Sequence, residues 1–188
     1  MGELDATLFR FFYGANAGSL TGLALLLSAL GSGWVMIGLI PFLASARWRR
    51  PATTLILAIA GSAAVVAFTK AVVGRTRPCV TLLGVHALCA APTDPSFPSG
   101  HACGSFTAAA FILVVMHTDT DDRVGAPLRT VITLALVSLA TAIAWSRVYL
   151  GVHFPGDVLA GALLGASFGA AFGWLYRHVV GRQPLKLV

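Results

Sequence analysis

The chain has 188 residues, 57% hydrophobic and only 11% charged, with a mean hydropathy of +0.83. A soluble domain carries about a quarter charged residues, so this composition excludes one and points to an integral membrane protein, a single compact domain over 1–188 with no linker or low-complexity tract. The net charge of +6 is spread over the ends of apolar segments with no basic stripe interleaved with aromatics, which argues for membrane surface and phosphate and against a nucleic-acid partner.

The N-terminus carries Glu3 and Asp5 and lacks the basic n-region of a cleavable signal, so the chain is expected to stay whole. Residues 3–13 put Leu4, Leu8, Phe11 and Phe12 on one helical face, with Glu3, Asp5, Thr7 and Arg10 elsewhere. That spacing predicts a helix lying in the interface within residues 1–17; a frayed first turn of the next span is the alternative. A transmembrane core follows over 18–176. It divides into roughly five spans, near 18–45, 52–73, 101–117, 128–146 and 156–176, before a tail at 177–188. Lipid leaves the backbone no partner outside the segment, so all the spans are expected to be helical, giving an all-α polytopic membrane bundle.

Basic residues set the expected orientation. Arg47, Arg49 and Arg50 fall on one side with Arg123, Arg129, Arg177, Arg182 and Lys186. That side is assigned to the cytoplasm, with the N-terminus outside and the C-terminus inside. The loop bearing Asp119, Asp121 and Asp122 lies on the same cytoplasmic side and reads as a solvated turn. Gly161, Gly165, Gly169 and Gly173 recur every fourth residue in the last span, a ridge that lets another helix approach closely. It suits packing inside the bundle, with a homodimer seam as the alternative. Cys79 and Cys89 both lie in the segment between spans two and three, where an oxidising compartment would allow a disulfide. Residues 81–94 are mildly apolar and suit a lid over the neighbouring residues, a contact with the lipid surface or a plain mobile connector.

The remaining ionisable residues gather at the mouths of the spans. Charges at a membrane edge are costly to place and default to function. By counting crossings, Lys70 with Arg77-Pro78, then Pro98-Ser99-Gly100-His101, then the stretch from Arg147 through His153 to Asp157 all fall on one face. Lys70 and Arg77 are about two helical turns apart, so both are expected to project from one helical face before Pro78 ends the helix, aimed at a dianionic phosphate. Snorkelling to headgroups is the plainer reading of that pair, and Arg75, off that face, is assigned to it. Ser99 can cap a helix whose free N–H groups bind phosphate oxygens, and Gly100 lets the backbone approach. Asp157, about one turn from His153, can orient the imidazole and leave its other nitrogen nucleophilic; a structural Asp-His pair fixing a loop is the alternative.

The ordered set Lys-x6-Arg-Pro, Pro-Ser-Gly-His and Ser-Arg-x5-His-x3-Asp resembles the signature of the type-2 phosphatidic acid phosphatase superfamily, matched without a substitution. The resemblance implies a lipid phosphatase in which His153 attacks phosphorus, Asp157 orients it, and His101 protonates the departing oxygen. It also implies that Lys70, Arg77, Ser99, Gly100 and Arg147 hold the phosphoryl oxygens. No metal or other cofactor is expected, since acidic clusters for magnesium and His/Cys spacing for zinc are both missing from the sequence. The expected partners are the bilayer and a phosphorylated membrane lipid, with undecaprenyl diphosphate first and phosphatidic acid or phosphatidylglycerol phosphate next. The expected place is the cell membrane, with the site on the extracytoplasmic face. A phosphotransferase using an alcohol acceptor is the alternative, and a non-catalytic lipid-binding or transport protein the remote one.

Overall fold

The computed structural model describes residues 3–14, 19–118 and 125–180. The acidic loop at 119–122, Arg123, Arg182 and Lys186 lie outside the described residues. Among the described residues the fold is entirely helical: α1 Glu3–Gly14, α2 Thr21–Leu30, α3 Trp34–Ala44, α4 Arg49–Val73, α5 Pro78–Thr81, α6 Gly100–His117, α7 Ala126–Tyr149 and α8 Pro155–Leu175, with a π-helical turn at Tyr176–Val180. The helices α4, α6, α7 and α8 are long and apolar enough to cross a membrane. Their outward faces carry residues such as Leu57, Phe68, Leu134, Leu159 and Leu163, as hydrocarbon contact requires.

The first expected span is not one helix. It breaks at residues 31–33 into α2 and α3, neither of which is long enough to cross alone. The reason is local: Gly31 and Gly33 flank Ser32, two poor helix formers within three residues. Ala24 packs with Tyr149 and Leu150 at the end of α7, and Gly31 lies against Ile143 further along it. The chain therefore descends through α2 beside α7, and α3 completes the passage to the start of α4.

The tightest packing in the bundle is between α6 and α8. A Cβ on Gly161, Gly165 or Gly169 would overlap the backbone carbonyl of Ser99, Cys103 or Thr107 respectively, and one on Gly173 would press on Val114. The glycine ridge thus faces α6 along its length, and only hydrogen side chains permit that approach. This seam brings the start of α6, which carries Ser99, Gly100 and His101, against the start of α8, which carries Asp157.

The helix expected near the N-terminus is present as α1. Leu4, Leu8 and Phe11 point outward, at 72%, 41% and 74% exposure, while Phe9 is wholly buried against Phe154 in an edge-to-face pair 5.6 Å between centroids. Its inward face is therefore Asp5, Phe9 and Tyr13, one turn apart each. The disulfide that the sequence would allow is not formed. Cys79 and Cys89 are free thiols, held in separate packed clusters, one around Phe9 and Phe154 and the other around Tyr149 and Leu150.

Replacing Gly165 by alanine should destabilise the detergent-solubilised protein by about 1–3 kcal/mol, the cost of overpacking a fixed contact. Gly22→Ala, where a Cβ would meet nothing within 4 Å, should leave the thermal midpoint unchanged or raise it. Equal midpoints for the two variants would contradict the close α6–α8 seam.

Candidate active site

Three loops and two helix starts converge at one end of the bundle. The helix α4 ends at Val73, and Gly74 reverses the chain in the left-handed region at φ 60°. Residues 75–77 then run to Pro78, which opens α5 with Arg77 extended at its N-cap position. Lys70 and Arg77 do meet, but not through shared helical phase: Gly74 breaks the helix between them, and the turn delivers Arg77 to the site.

Asp94 is where they meet. Its Oδ2 lies 2.6 Å from Lys70 Nζ and its Oδ1 2.8 Å from Arg77 Nη2. Arg77 Nε donates to the Asp94 carbonyl at 2.8 Å, and Lys70 also donates to the Pro95 carbonyl. Partial burial pushes the Asp94 carboxyl up, but Lys70 and Arg77 outweigh it and hold it below the usual carboxylate range, so it is anionic at neutral pH. The segment before α6 is thereby tied over the site. It is anchored again where Leu88 N donates to the Leu150 carbonyl at 3.0 Å, and where Tyr13 Oη contacts His86. Pro92 and Asp94 of this segment line the cavity, while Leu83 points outward at 94% exposure.

The loop between α7 and α8 presents His153. Val152 N and His153 N both donate to the Arg147 carbonyl at 3.2 Å, a reversal that needs Gly151 at φ 79°, where a Cβ would also strike the His86 carbonyl. Arg77 Nη1 donates to the Val152 carbonyl at 2.7 Å and lies 3.2 Å from His153 Nε2. Guanidinium can only donate, so Nε2 accepts and the imidazole proton sits on Nδ1. That nitrogen faces Asp157 Oδ2 at 3.5 Å, a separation too long for a closed hydrogen bond; catalytic bonds in free enzymes are often this loose.

Asp157 is fully buried and sits in the first turn of α8. Its Oδ2 accepts from Phe154 N at 2.9 Å. Its Oδ1 lies 2.6 Å from Arg75 Nη1, and its backbone carbonyl accepts from Ser99 N at 2.9 Å. Arg75 is therefore not a headgroup-snorkelling residue. It is drawn inward because a buried carboxylate needs a counter-charge, and its Cζ lies 4.3 Å over the Phe154 ring.

Ser99 is buried at the N-cap of α6, its hydroxyl 3.5 Å from Ala102 N, a weak cap. His101 follows within the first turn and, with Gly100, Arg147, Lys70, Arg77 and His153, lines a cavity of about 580 Å³. Lys70, Arg77, Gly100, His101, Arg147 and His153 thus line one cavity, whereas Ser99 and Asp157 are fully buried and do not line it. Arg147 Nη1 donates to Ser28 Oγ of α2, while its Nε is buried with no acceptor among the described residues. Below this polar head the cavity is walled by Leu30, Val66, Leu139 and Ile143 and by the break at residues 31–33. Sequence reasoning missed Asp5, Ser28, Arg75 and Asp94. Arg75 carried a signal, a charge between two glycine- and proline-marked turns; the others carried none.

Comparison with known proteins agrees with this geometry. A family model, the PAP2 superfamily, matches residues 51–181. An undecaprenyl-diphosphatase of Sulfolobus acidocaldarius is 31% identical over 161 residues, which are 85% of this chain and 72% of that protein. The crystal structure of Aquifex aeolicus LpxE superposes with a TM-score of 0.76 at 32% identity, covering 91% of this chain and 95% of that one. A transmembrane PAP2-type phosphatidylglycerolphosphate phosphatase from Bacillus subtilis shares the fold at 20% identity, with a TM-score of 0.77 over 94% of this chain and 86% of its own. The chain belongs to the PAP2 superfamily and is a membrane-embedded lipid phosphatase of that family.

Proposed function

We propose that this protein hydrolyses a phosphate ester or diphosphate of a membrane lipid through a phosphohistidine on His153, without a metal. The observation that carries the reading is the joining of an ionic head, bearing Lys70, Arg77, Arg147, His101 and His153, to an apolar cavity between helices long enough to span a membrane. Such a pocket suits a molecule with an anionic head and a hydrocarbon tail. The unpartnered Nε of Arg147 supports an anionic occupant, since a buried donor without an acceptor is costly.

In this mechanism Arg77 Nη1 gives up its contact to Nε2 for a phosphoryl oxygen, the freed Nε2 lone pair attacks phosphorus in line as the bond to the departing oxygen breaks, and His101 protonates that oxygen. The Nδ1 proton stays between His153 and Asp157, whose negative charge stabilises the imidazolium character that develops. Water then attacks the phosphohistidine and gives its proton to His101, the N–P bond breaks, and phosphate leaves. Lys70, Arg77, Arg147 and the Gly100 amide stabilise the phosphoryl oxygens, while Ser99, whose own amide is taken by the Asp157 carbonyl, caps the helix that presents them. Undecaprenyl diphosphate is the first candidate substrate, supported by the identity to the Sulfolobus undecaprenyl-diphosphatase over most of both chains. We place the site on the extracytoplasmic face, because Arg47, Arg49 and Arg50 lie at the far end of α4 from it.

Purified protein in detergent with EDTA should release phosphate from undecaprenyl diphosphate, or failing that from phosphatidic acid or phosphatidylglycerol phosphate. His153→Ala should abolish both release and any acid-labile phosphoenzyme; unchanged release would end the nucleophile assignment. Asp157→Asn should lower kcat by about 100-fold or more with little change in KM, whereas a rise in KM alone would contradict its orienting role.

Burial pushes the His153 imidazole from 6.5 down to about 4, with Asp157 opposing and Arg77 and Arg147 adding to the shift. The nucleophile is therefore neutral throughout the physiological range. The unfolded chain takes up this proton near 6.5 and the folded chain only near 4, so stability is lost as pH falls through that window. Histidine NMR in detergent, assigned with His153→Asn, should show this ring still neutral at about pH 5.5; a midpoint near the ordinary value would contradict it.

Sidedness is testable separately. In a variant with Cys79, Cys89 and Cys103 replaced by serine, Ser19→Cys should react with a membrane-impermeant thiol reagent on intact cells and Ala46→Cys should not. The reverse pattern would invert the topology.

A further inference from the structure

The ion pair that fixes Asp157 does not end at Arg75. Arg75 Nη2 lies 2.5 Å from Asp5 Oδ2 on α1, and Asp5 Oδ1 accepts from Gly156 N at 2.8 Å. One guanidinium thus divides its donors between two carboxylates, while Asp5 divides its oxygens between that guanidinium and the amide immediately before Asp157. Both bonds act on the same few atoms at the start of α8.

The two oxygens of Asp157 have separate partners. Oδ1 is held by Arg75, and Oδ2 accepts from Phe154 N and faces His153 Nδ1. A carboxylate pinned at one oxygen cannot rotate about its Cβ–Cγ bond, so the contact to Oδ1 determines where Oδ2 points. Arg75 is itself held on three sides: by Asp5, by the Phe154 ring beneath it, and through its carbonyl, which accepts from Ser96 N at 2.7 Å. The last of these joins it to the segment leading into Ser99 and His101. The buried Phe9 locks the helix that carries Asp5 onto Phe154, so the whole arrangement is stiff.

We propose that Arg75 and Asp5 are positioning residues for phosphoryl transfer: Arg75 sets the rotation of the Asp157 carboxylate toward His153, and Asp5, delivered by the N-terminal helix, fixes Arg75 and the first turn of α8. The inference rests on His153 being the nucleophile. It makes α1 part of the reaction machinery in addition to a surface anchor. Neither residue lines the cavity, so neither touches the substrate phosphate, and their effect falls on the chemical step and not on binding.

The test uses the full chain in detergent and whichever of undecaprenyl diphosphate, phosphatidic acid or phosphatidylglycerol phosphate the wild type hydrolyses, with kcat and KM determined separately. Arg75→Met should lower kcat by about 10- to 100-fold, the usual scale for losing a residue that orients a reacting group, with KM held within about twofold. Arg75→Lys should recover part of that loss, since an ammonium can reach Oδ1 but cannot bridge two carboxylates. Asp5→Asn keeps an acceptor for Gly156 N and removes only the charge on Arg75. It should lower kcat severalfold in the wild type and have no further effect on kcat in an Arg75→Met background, as coupled residues require.

Wild-type kcat in both Arg75→Met and Asp5→Asn, with His153→Ala inactive, would overturn this proposal and leave the nucleophile standing. Raised KM with unchanged kcat would also overturn it, by making Arg75 a substrate-binding residue. Activity in His153→Ala would remove the reading beneath it instead. If Arg75→Met does not fold, Arg75→Lys and Asp5→Asn decide by the same criterion: reduced kcat at constant KM supports the proposal, and unchanged kcat in both overturns it.

Discussion

The arrangement depends on one buried charge. Asp157 has no solvent exposure, and an ionised carboxylate in that position is tolerable only if fixed donors replace its water. Four parts of the chain supply them or are held by its peptide unit: the 74–77 linker through Arg75, the α7–α8 loop through Phe154 N and His153, α6 through Ser99 N, and α1 through Asp5 and Gly156. Arg75 and the α7–α8 loop meet at its carboxylate and the start of α6 at its backbone carbonyl, so segments widely spaced along the chain converge on this one residue.

That charge can be placed so accurately because the scaffold behind it is rigid. Apolar side chains facing lipid gain little from association with one another, so helices in a membrane are joined mainly by close packing. The glycine ridge of α8 provides it, letting the backbone of α6 approach until its carbonyls fill the space where side chains would be. The seam runs up to Gly161, which sits against the Ser99 carbonyl. The helix starts that bear Ser99 and Asp157 are thus fixed by backbone packing, and side-chain chemistry has only the last few ångströms left to determine.

The parts of this design that were legible in the sequence are those encoded locally. Apolar runs predicted α4, α6, α7 and α8, and the order of Lys70, Arg77, Ser99, His101, Arg147, His153 and Asp157 predicted a common site, because hydrophobic length and crossing parity are local counts. Helical phase was a poor guide once glycine intervened: Gly74 rotates the chain after Val73, so Arg77 arrived by a turn and Arg75 pointed inward instead of toward lipid. The break at residues 31–33 was hidden by its apolar neighbours, which kept the hydropathy of a continuous span. Asp5 was beyond reach for another reason. Its partner amide is 151 residues away, and an acidic residue in an interfacial helix looks like ordinary surface until the tertiary contact is known.

The cations of the site pose the opposite problem from Asp157, since they must be compensated and yet available. Arg77 is 4% exposed and Lys70 12%, whereas Asp94, which pairs with both, is 52% exposed. Of the three ions Asp94 keeps the most contact with water, so it is the one that can return to solvent at the least desolvation cost. For the proposed phosphate-bearing substrate, entry exchanges one anion for another at donors already aimed at oxygen. The guanidinium of Arg77 remains tied to the Val152 carbonyl during that exchange, so the loop carrying His153 need not reorganise when the partner changes. Charge compensation by Asp94 and preorganisation for a phosphate are then a single geometry, the condition under which electrostatic stabilisation is most effective in a low-dielectric site.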